Sequence, residues 1–327
     1  MSDWRRITPS VIAGSLLSPS GSWGRLFILI YHRVLLRTDP LFPTECDAAV
    51  FEKHVCALAR NFNLLPLGEA VKLLVAGRLP ARAACITFDD GYADNVEVAL
   101  PILTRYSAPA TFFIATDFLD GGRMWNDSII EAVRRAQGEE VDCTELGLGR
   151  YRLGSTEQRR LTIDSLLASL KYLPQPERDE KVSRISGIVG AELPSDLMMR
   201  SEHVRYLHDQ GMEVGAHTAS HPILARLSDA AARTEIVRGR ERLEQIINAP
   251  VRLFAYPNGK PGQDYLGKHV TMVKELGFTA AVSTSWGVAG TGSDLFQLPR
   301  FTPWDKTPLR FVLRLFQNRM RGAPALA

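Results

Sequence analysis

Two short segments carry the side chains best suited to chemistry. The first is Thr87-Phe88-Asp89-Asp90-Gly91, with two adjacent carboxylates directly after an apolar run. Like charges side by side at the edge of a core are unfavourable unless a cation compensates them. Alone, the segment is equally an Asp turn or helix cap with Gly91 making the turn. The second is His217-Thr218-Ala219-Ser220-His221, flanked by Gly215 and Pro222. Imidazoles four residues apart can grip one metal ion, and can equally be two unrelated polar side chains. Together the segments supply His, His and carboxylate, with a second carboxylate beside them. Three protein ligands and an open position form the pattern of a catalytic divalent-metal site. The spare carboxylate then suits a base acting on water.

A third segment, RLFAYPNG from Arg252 to Gly259, takes an apolar strand end into a strong turn signal. Such a turn can present a backbone N–H to a developing oxyanion, or be an ordinary tight turn.

These segments need a scaffold. Apolar, β-rich runs at 26–31, 83–88, 110–115, 213–216, 253–255 and 280–283 predict buried strands. Helical periodicity is expected at 51–61, 67–77, 95–106, 230–248 and 265–276, with Pro101 starting or kinking the third. Strands alternating with helices predict an α/β fold with a parallel sheet. In such folds sites collect where strands end, as all three segments do. Residues from about 120 to 200 differ: helical patterns at 127–137, 156–172 and 176–189 and no apolar β run predict a helical insertion. The stretch 309–320 is basic and amphipathic, with Arg310, Arg314 and Arg319 among Leu and Phe. It is expected to dock on the scaffold, with a membrane-surface helix as the alternative.

Composition narrows the class. The 327 residues are 45% hydrophobic and 23% charged, which excludes a disordered or fibrous chain. The formal charge of +3 does not suggest a nucleic-acid partner. Cys46, Cys56, Cys85 and Cys143 form no CxxC pair and are expected to be reduced and packed. Arg5 and Arg6 precede a stretch broken by Thr8, Pro9, Ser10, Gly14 and Ser15, a poor signal peptide. The expected location is therefore cytoplasmic, with contact at the inner membrane face as a further expectation.

In order, TFDDG, HTASH and RLFAYPNG resemble the motifs of the NodB-homology polysaccharide deacetylases, carbohydrate esterase family 4. The resemblance runs from about Leu26 to Trp304 and implies a distorted (β/α)7 barrel with a helical insertion. The expected layout is an N-terminal extension at 1–24, a deacetylase domain at 25–305 and a basic helix at 306–327. Carried over, Asp90, His217 and His221 match the metal ligands and Asp89 the catalytic base. The turn at Tyr256–Asn258 matches the oxyanion-holding segment, with Asn258 as donor. The implied activity is metal-dependent N-deacetylation of N-acetylhexosamine units of a glycan, or of a lipid- or nucleotide-linked precursor. Zinc is the expected metal, and Co2+, Ni2+ or Fe2+ also suit these ligands.

The chain departs from the pattern twice. Ala255 stands where many members carry an Arg that pairs with the catalytic Asp; Arg300 is the candidate replacement and Arg252 the runner-up. The late Leu-x-His segment that often supplies the general acid is missing. Tyr31-His32-Arg33-Val34 resembles an early segment of the poly-N-acetylglucosamine deacetylase branch, which makes His32 the candidate acid. His54, His203, His208 and His269 are expected at the surface. Trp125-Asn126-Asp127 and Gly262-Gln263-Asp264-Tyr265 resemble segments of enzymes from exopolysaccharide loci. Trp125, Tyr256, Trp286 and Trp304 are candidates to stack on sugar rings or to pack as core or rim. The alternative functions are an amidase or cyclic-imide hydrolase on a small substrate, and a non-catalytic glycan-binding protein.

Overall fold

The computed structural model describes residues 18–319 and 325–327. Most of the expected N-terminal extension, and residues 320–324 of the expected basic helix, lie outside the described residues.

A parallel sheet forms the frame. Its strands are β1 (Leu26–Tyr31), β2 (Asn63–Leu64), β3 (Ala83–Phe88), β4 (Ala110–Ile114), β7 (Glu213–Ala216), β8 (Leu253–Ala255) and β9 (Ala280–Val282). Their order is β1-β3-β4-β7-β8-β9, and the two-residue β2 pairs with the start of β3. Between β9 and β1 runs the segment 298–301, bridged to Val282 on one side and Leu29 on the other. The sheet curls into a distorted barrel, and this segment lies across its gap.

Both faces of the sheet are buried, hence the unbroken apolar runs. Alternate residues separate into two cores, as the pleat requires. Phe27, Leu29 and Tyr31 join a large cluster with the surrounding helices. Leu26 and Ile28 join a second cluster with Ala83, Cys85, Phe113 and Ala255. The surrounding helices are α1 (Ala48–Asn61), α2 (Leu67–Val75), α3 (Leu100–Arg105), α7 (Ser201–Asp209), α8 (Asp229–Ile247) and α9 (Gly267–Glu275). α3 starts beside Pro101 after a π-helical stretch at Asn95–Ala99, so the expected single helix is divided where proline lacks a donor.

Between β4 and α7 lie α4 (Trp125–Arg135), α5 (Thr156–Leu170) and α6 (Gln175–Val189). They share a separate apolar core that includes Ile129, Ile163, Leu166 and Ile185. An antiparallel hairpin of β5 (Glu140–Asp142) and β6 (Arg150–Arg152) also belongs here and has no counterpart in the expectations. Its strands are polar and mostly exposed, so no apolar run marks them. All four cysteines are free.

The last helix, α10 (Pro308–Arg319), docks through Phe311 and Leu315, both fully buried. The Phe311 ring stacks on His54 at a centroid separation of 4.3 Å. His54 is therefore not a surface residue: it is 1% exposed, with Nε2 2.6 Å from the Asp305 carbonyl. His269 is also buried rather than on the surface; its Nδ1 accepts from the Leu266 N–H at 3.0 Å. His203 and His208 on α7 are half-buried. Among the described residues no helix is long and apolar enough to cross a membrane.

The docking predicts an asymmetry along α10. Phe311→Ala should cost about 3 kcal/mol, because it opens a cavity. Leu309→Ala, 71% exposed, should stay within about 0.5 kcal/mol of the parent. Urea denaturation of both proteins measures the difference, and equal values would refute the docking.

Candidate active site

The three segments meet at one mouth of the barrel. β3 ends at Phe88, and the chain turns at Asp90 (φ +77°) and Gly91 (φ +93°). β7 ends at Ala216, and the loop from His217 to His221 follows. α8 clamps that loop: Glu235 Oε2 accepts from the N–H groups of Ala219 at 3.2 Å and Ser220 at 2.8 Å. Gly239 lets the helix come close, since a Cβ there would collide with the Thr218 carbonyl. Thr218 Oγ1 accepts from the His221 N–H at 3.1 Å, which folds the loop so that both rings face one way.

Asp90, His217 and His221 each offer one ligand atom, and all three atoms lie within 4.8 Å of one another. Both Nε2 atoms are 3.4 Å from Asp90 Oδ1. His217 Nδ1 lies 2.7 Å from the Ala255 carbonyl, so it carries the proton and donates there. Its Nε2 lone pair is left facing the cluster, the usual arrangement of a ligating histidine. Asp90 Oδ1 is buried without a hydrogen-bond partner. An orphaned carboxylate oxygen between two imidazole nitrogens fits a divalent cation, and the N/O donor set suits zinc or a neighbouring transition metal.

Asp89 lies beside this cluster, its Oδ2 3.9 Å from His217 Nε2. Arg300 grips it from the far side, with Nη1 2.7 Å from Oδ1 and Nη2 2.6 Å from Oδ2. Arg300 is itself fully buried and anchored: Nε donates to the Ser283 carbonyl at 3.0 Å and Nη1 to Thr87 Oγ1 at 3.2 Å. Arg252, the other candidate, is exposed. Burial would push the Asp89 carboxyl up, but Arg300 and then His217 hold it below its ordinary value. Asp90 is likewise held low against its burial, chiefly by His217 and His221. His217 is raised, because Asp89 and Asp90 outweigh its desolvation. Burial pushes His221 down to about 4.

These residues open onto a cavity of about 620 Å³ that is also lined by His32, Asn258, Trp125 and Asp127. His32 follows β1 and is exposed, with its backbone oxygen held by Asn95 Nδ2 at 2.8 Å. In the turn after β8, the Tyr256 N–H goes to the Val282 carbonyl, and Pro257 has no N–H. The Gly259 N–H folds back on the Pro257 carbonyl, and the Asn258 N–H has no backbone partner among the described residues. Asn258 has φ +59°, a left-handed conformation that asparagine tolerates.

Tyr256 is not a substrate-facing residue. It is fully buried, stacked on Tyr265 at 3.8 Å with its hydroxyl donated to the Phe296 carbonyl at 3.0 Å. Trp286 and Trp304 pack on each other and on Phe301, away from the cavity lining. Trp125 alone of the four aromatic candidates reaches the cavity.

Asp127 also lines the cavity; its Trp-Asn-Asp triplet was quoted as a resembling segment, but no role was given to the carboxylate. It is 4% exposed, and Oδ2 has no partner. Burial pushes its carboxyl up to about 6 against the pull of Arg33 and Tyr92, and Asp90 adds to the rise.

The Arg300–Asp89 pair makes a stability prediction. Arg300→Met leaves a buried carboxylate uncompensated and should cost about 3–5 kcal/mol. Adding Asp89→Leu should recover most of that loss. Urea denaturation of the two single variants and the double variant measures the coupling, and additive effects would refute it.

The fold and site can be set against known proteins. Residues 76–144 and 183–281 match the family model described as "Polysaccharide deacetylase". YxkH of Bacillus subtilis, whose name assigns it to the polysaccharide deacetylases, is 35% identical over 92 residues. That match covers 28% of this chain and about a third of YxkH. Among solved structures, the deacetylase PplD of Streptococcus pyogenes, in complex with acetate, aligns with a TM-score of 0.60 at 18% identity, covering 89% of this chain and 98% of PplD. IcaB from Ammonifex degensii aligns at 0.58 and 17% identity, covering 91% of this chain and 98% of IcaB. The BpsB deacetylase domain from Bordetella bronchiseptica aligns at 0.53 and 15%, covering 85% of this chain and 95% of that domain. At such identities the alignments speak to the fold, a NodB-type (β/α)7 barrel. The family model spans half of the sequence and both the carboxylate and the histidine segments, so this chain belongs to the polysaccharide deacetylase family.

Proposed function

We propose that this chain is a metal-dependent N-deacetylase that removes acetyl groups from N-acetylhexosamine units of a glycan or glycan precursor. The observation that carries this reading is the Asp90–His217–His221 cluster next to an Asp89 held ionised by buried Arg300. A divalent metal, zinc foremost, held by these three residues would polarise the acetamide carbonyl and supply charge stabilisation.

The chain's own residues do the rest. Asp89, kept as a carboxylate, takes the proton of the attacking water. Arg300 orients both Asp89 oxygens and keeps the charge in place after burial. The Asn258 N–H faces the oxygen on which negative charge develops. His32, at the open side of the cavity, protonates the departing sugar amine. Trp125 offers a flat apolar face to a sugar ring.

Support for a membrane-associated precursor comes from α10, where exposed Leu309 and Leu313 accompany exposed Arg310. We propose peripheral contact there, at the inner membrane face. The protein should co-sediment with vesicles containing anionic lipid and not with neutral ones; equal behaviour toward both would exclude this contact.

The principal test is acetate release from N-acetylglucosamine oligomers and nucleotide-linked sugars. Asp89→Asn should lower kcat by about 10²–10⁴-fold while the protein still binds one equivalent of zinc. Asp90→Ala should lose the zinc as well. Tight zinc binding with no acetate from any sugar would overturn the deacetylase reading.

A further inference from the structure

The cations on the cavity wall fall into two kinds. Arg33 and Arg134 are already neutralised. Arg33 Nε is 2.8 Å from Asp94 Oδ2, and Arg134 meets Asp39 Oδ1 at 3.0 Å and Oδ2 at 2.5 Å. Lys171 and Arg178 are not. Both line the cavity: Lys171 caps the end of α5, and Arg178 stands in the first turn of α6.

Arg178 is 7% exposed, with its guanidinium 5.0 Å from the centre of the Trp125 ring. Its one ionic contact among the described residues is Nε to Asp179 Oδ1 at 3.4 Å, and that carboxylate is half in solvent. Among the described residues no hydrogen bond or ion pair reaches its two Nη groups, and the residue lines the cavity. Lys171 Nζ lies 5.6 Å from the Tyr172 ring and meets no carboxylate among the described residues. Keeping a guanidinium nearly buried without a full anionic partner is costly, and an incoming anion would remove that cost. Stacking on Trp125 fixes the guanidinium plane, so its two free nitrogens are preset for a two-pronged contact with a planar or tetrahedral oxyanion.

We propose that the α5–α6 corner is an anion subsite, and that the N-acetylated sugar deacetylated here carries an acidic group, a carboxylate or a phosphate, which Arg178 and Lys171 receive. The inference rests on the deacetylase reading for what happens to the acetyl group, but not for the binding itself. Arg178 and Lys171 come from the insertion and the metal cluster from the barrel. The substrate is therefore read by one unit and cut by the other.

Three probes separate the chemistries: a neutral N-acetylglucosamine tetramer, an oligosaccharide in which N-acetylglucosamine alternates with glucuronate, and UDP-N-acetylglucosamine. Each is titrated calorimetrically into the Asp89→Asn protein, where turnover does not intervene. At least one acidic probe should bind about 10-fold or more tightly than the neutral one. Arg178→Gln with Lys171→Gln should abolish that advantage, with a far smaller change in neutral binding. Lys171→Gln alone, at a half-buried position, guards against a folding defect and should lose part of it. Whichever acidic probe gains tells carboxylate from phosphate. Equal affinity for all three probes, or a uniform loss in the variants, would overturn the subsite. A charge-dependent preference without acetate release from any probe by the unsubstituted, metal-loaded protein would uphold the subsite and overturn the deacetylase reading alone.

Discussion

The buried ion pair between Arg300 and Asp89 is the constraint on which the site depends. A carboxylate at the end of an apolar strand would protonate or drive the chain open unless a cation met it. Arg300 meets it with two parallel hydrogen bonds, and two further N–H groups go to Ser283 and Thr87. The arginine also sits on the segment that lies between β9 and β1. Its neighbours Leu298 and Phe301 exchange backbone bonds with Ala281, Ser283, Ile28 and Ile30. Charge compensation and closure of the sheet are thus one structural event. The fold cannot bring the gap together without delivering the guanidinium, nor shift the guanidinium without opening the gap.

Ala255 shows what the exchange of position entails. The resemblance leads one to expect an arginine there. A small residue on β8 packs instead in the inner core, and its carbonyl fixes the tautomer of His217. The cation arrives from the chain 45 residues later. What the chemistry requires is a positive charge at two carboxylate oxygens, and any strand end that reaches them can supply it.

That equivalence explains which parts of the molecule could be read in advance. Asp89, Asp90, His217 and His221 were legible because each pair lies within five residues and the strand before it is a plain apolar run. The barrel strands were legible for the same reason. Arg300 was harder: only the need for a cation near Asp89 pointed to it, since nothing local marks Leu-Pro-Arg-Phe. His54 and His269 sit at helical positions that look solvated, and tertiary packing against α10 and a local backbone bond buried them. Tyr256 looked like a binding aromatic because it adjoins the turn, yet strand alternation turns it into the core. The β5–β6 hairpin is polar and short, so no apolar alternation marks it, and nothing local shows that Arg178, inside the expected 176–189 helix, would reach the cavity.

The conformations at the site follow a related logic. Asp90, Thr218, His221 and Asn258 all adopt positive φ, a region that costs most residues energy. Backbone preference alone would put glycine at several of these positions. At Asp90 and His221 the side chains proposed to hold the metal face the cluster, so the surrounding structure must hold the strain. It does so by specific means. Gly91, next to Asp90, leaves room for the Ile114 side chain, which a Cβ there would crowd at 3.0 Å. Gly239 and Glu235 press and pin the histidine loop from α8. The glycines of this site therefore stand next to the functional residues, absorbing the close approaches that a side chain with a chemical role cannot give up its place to make.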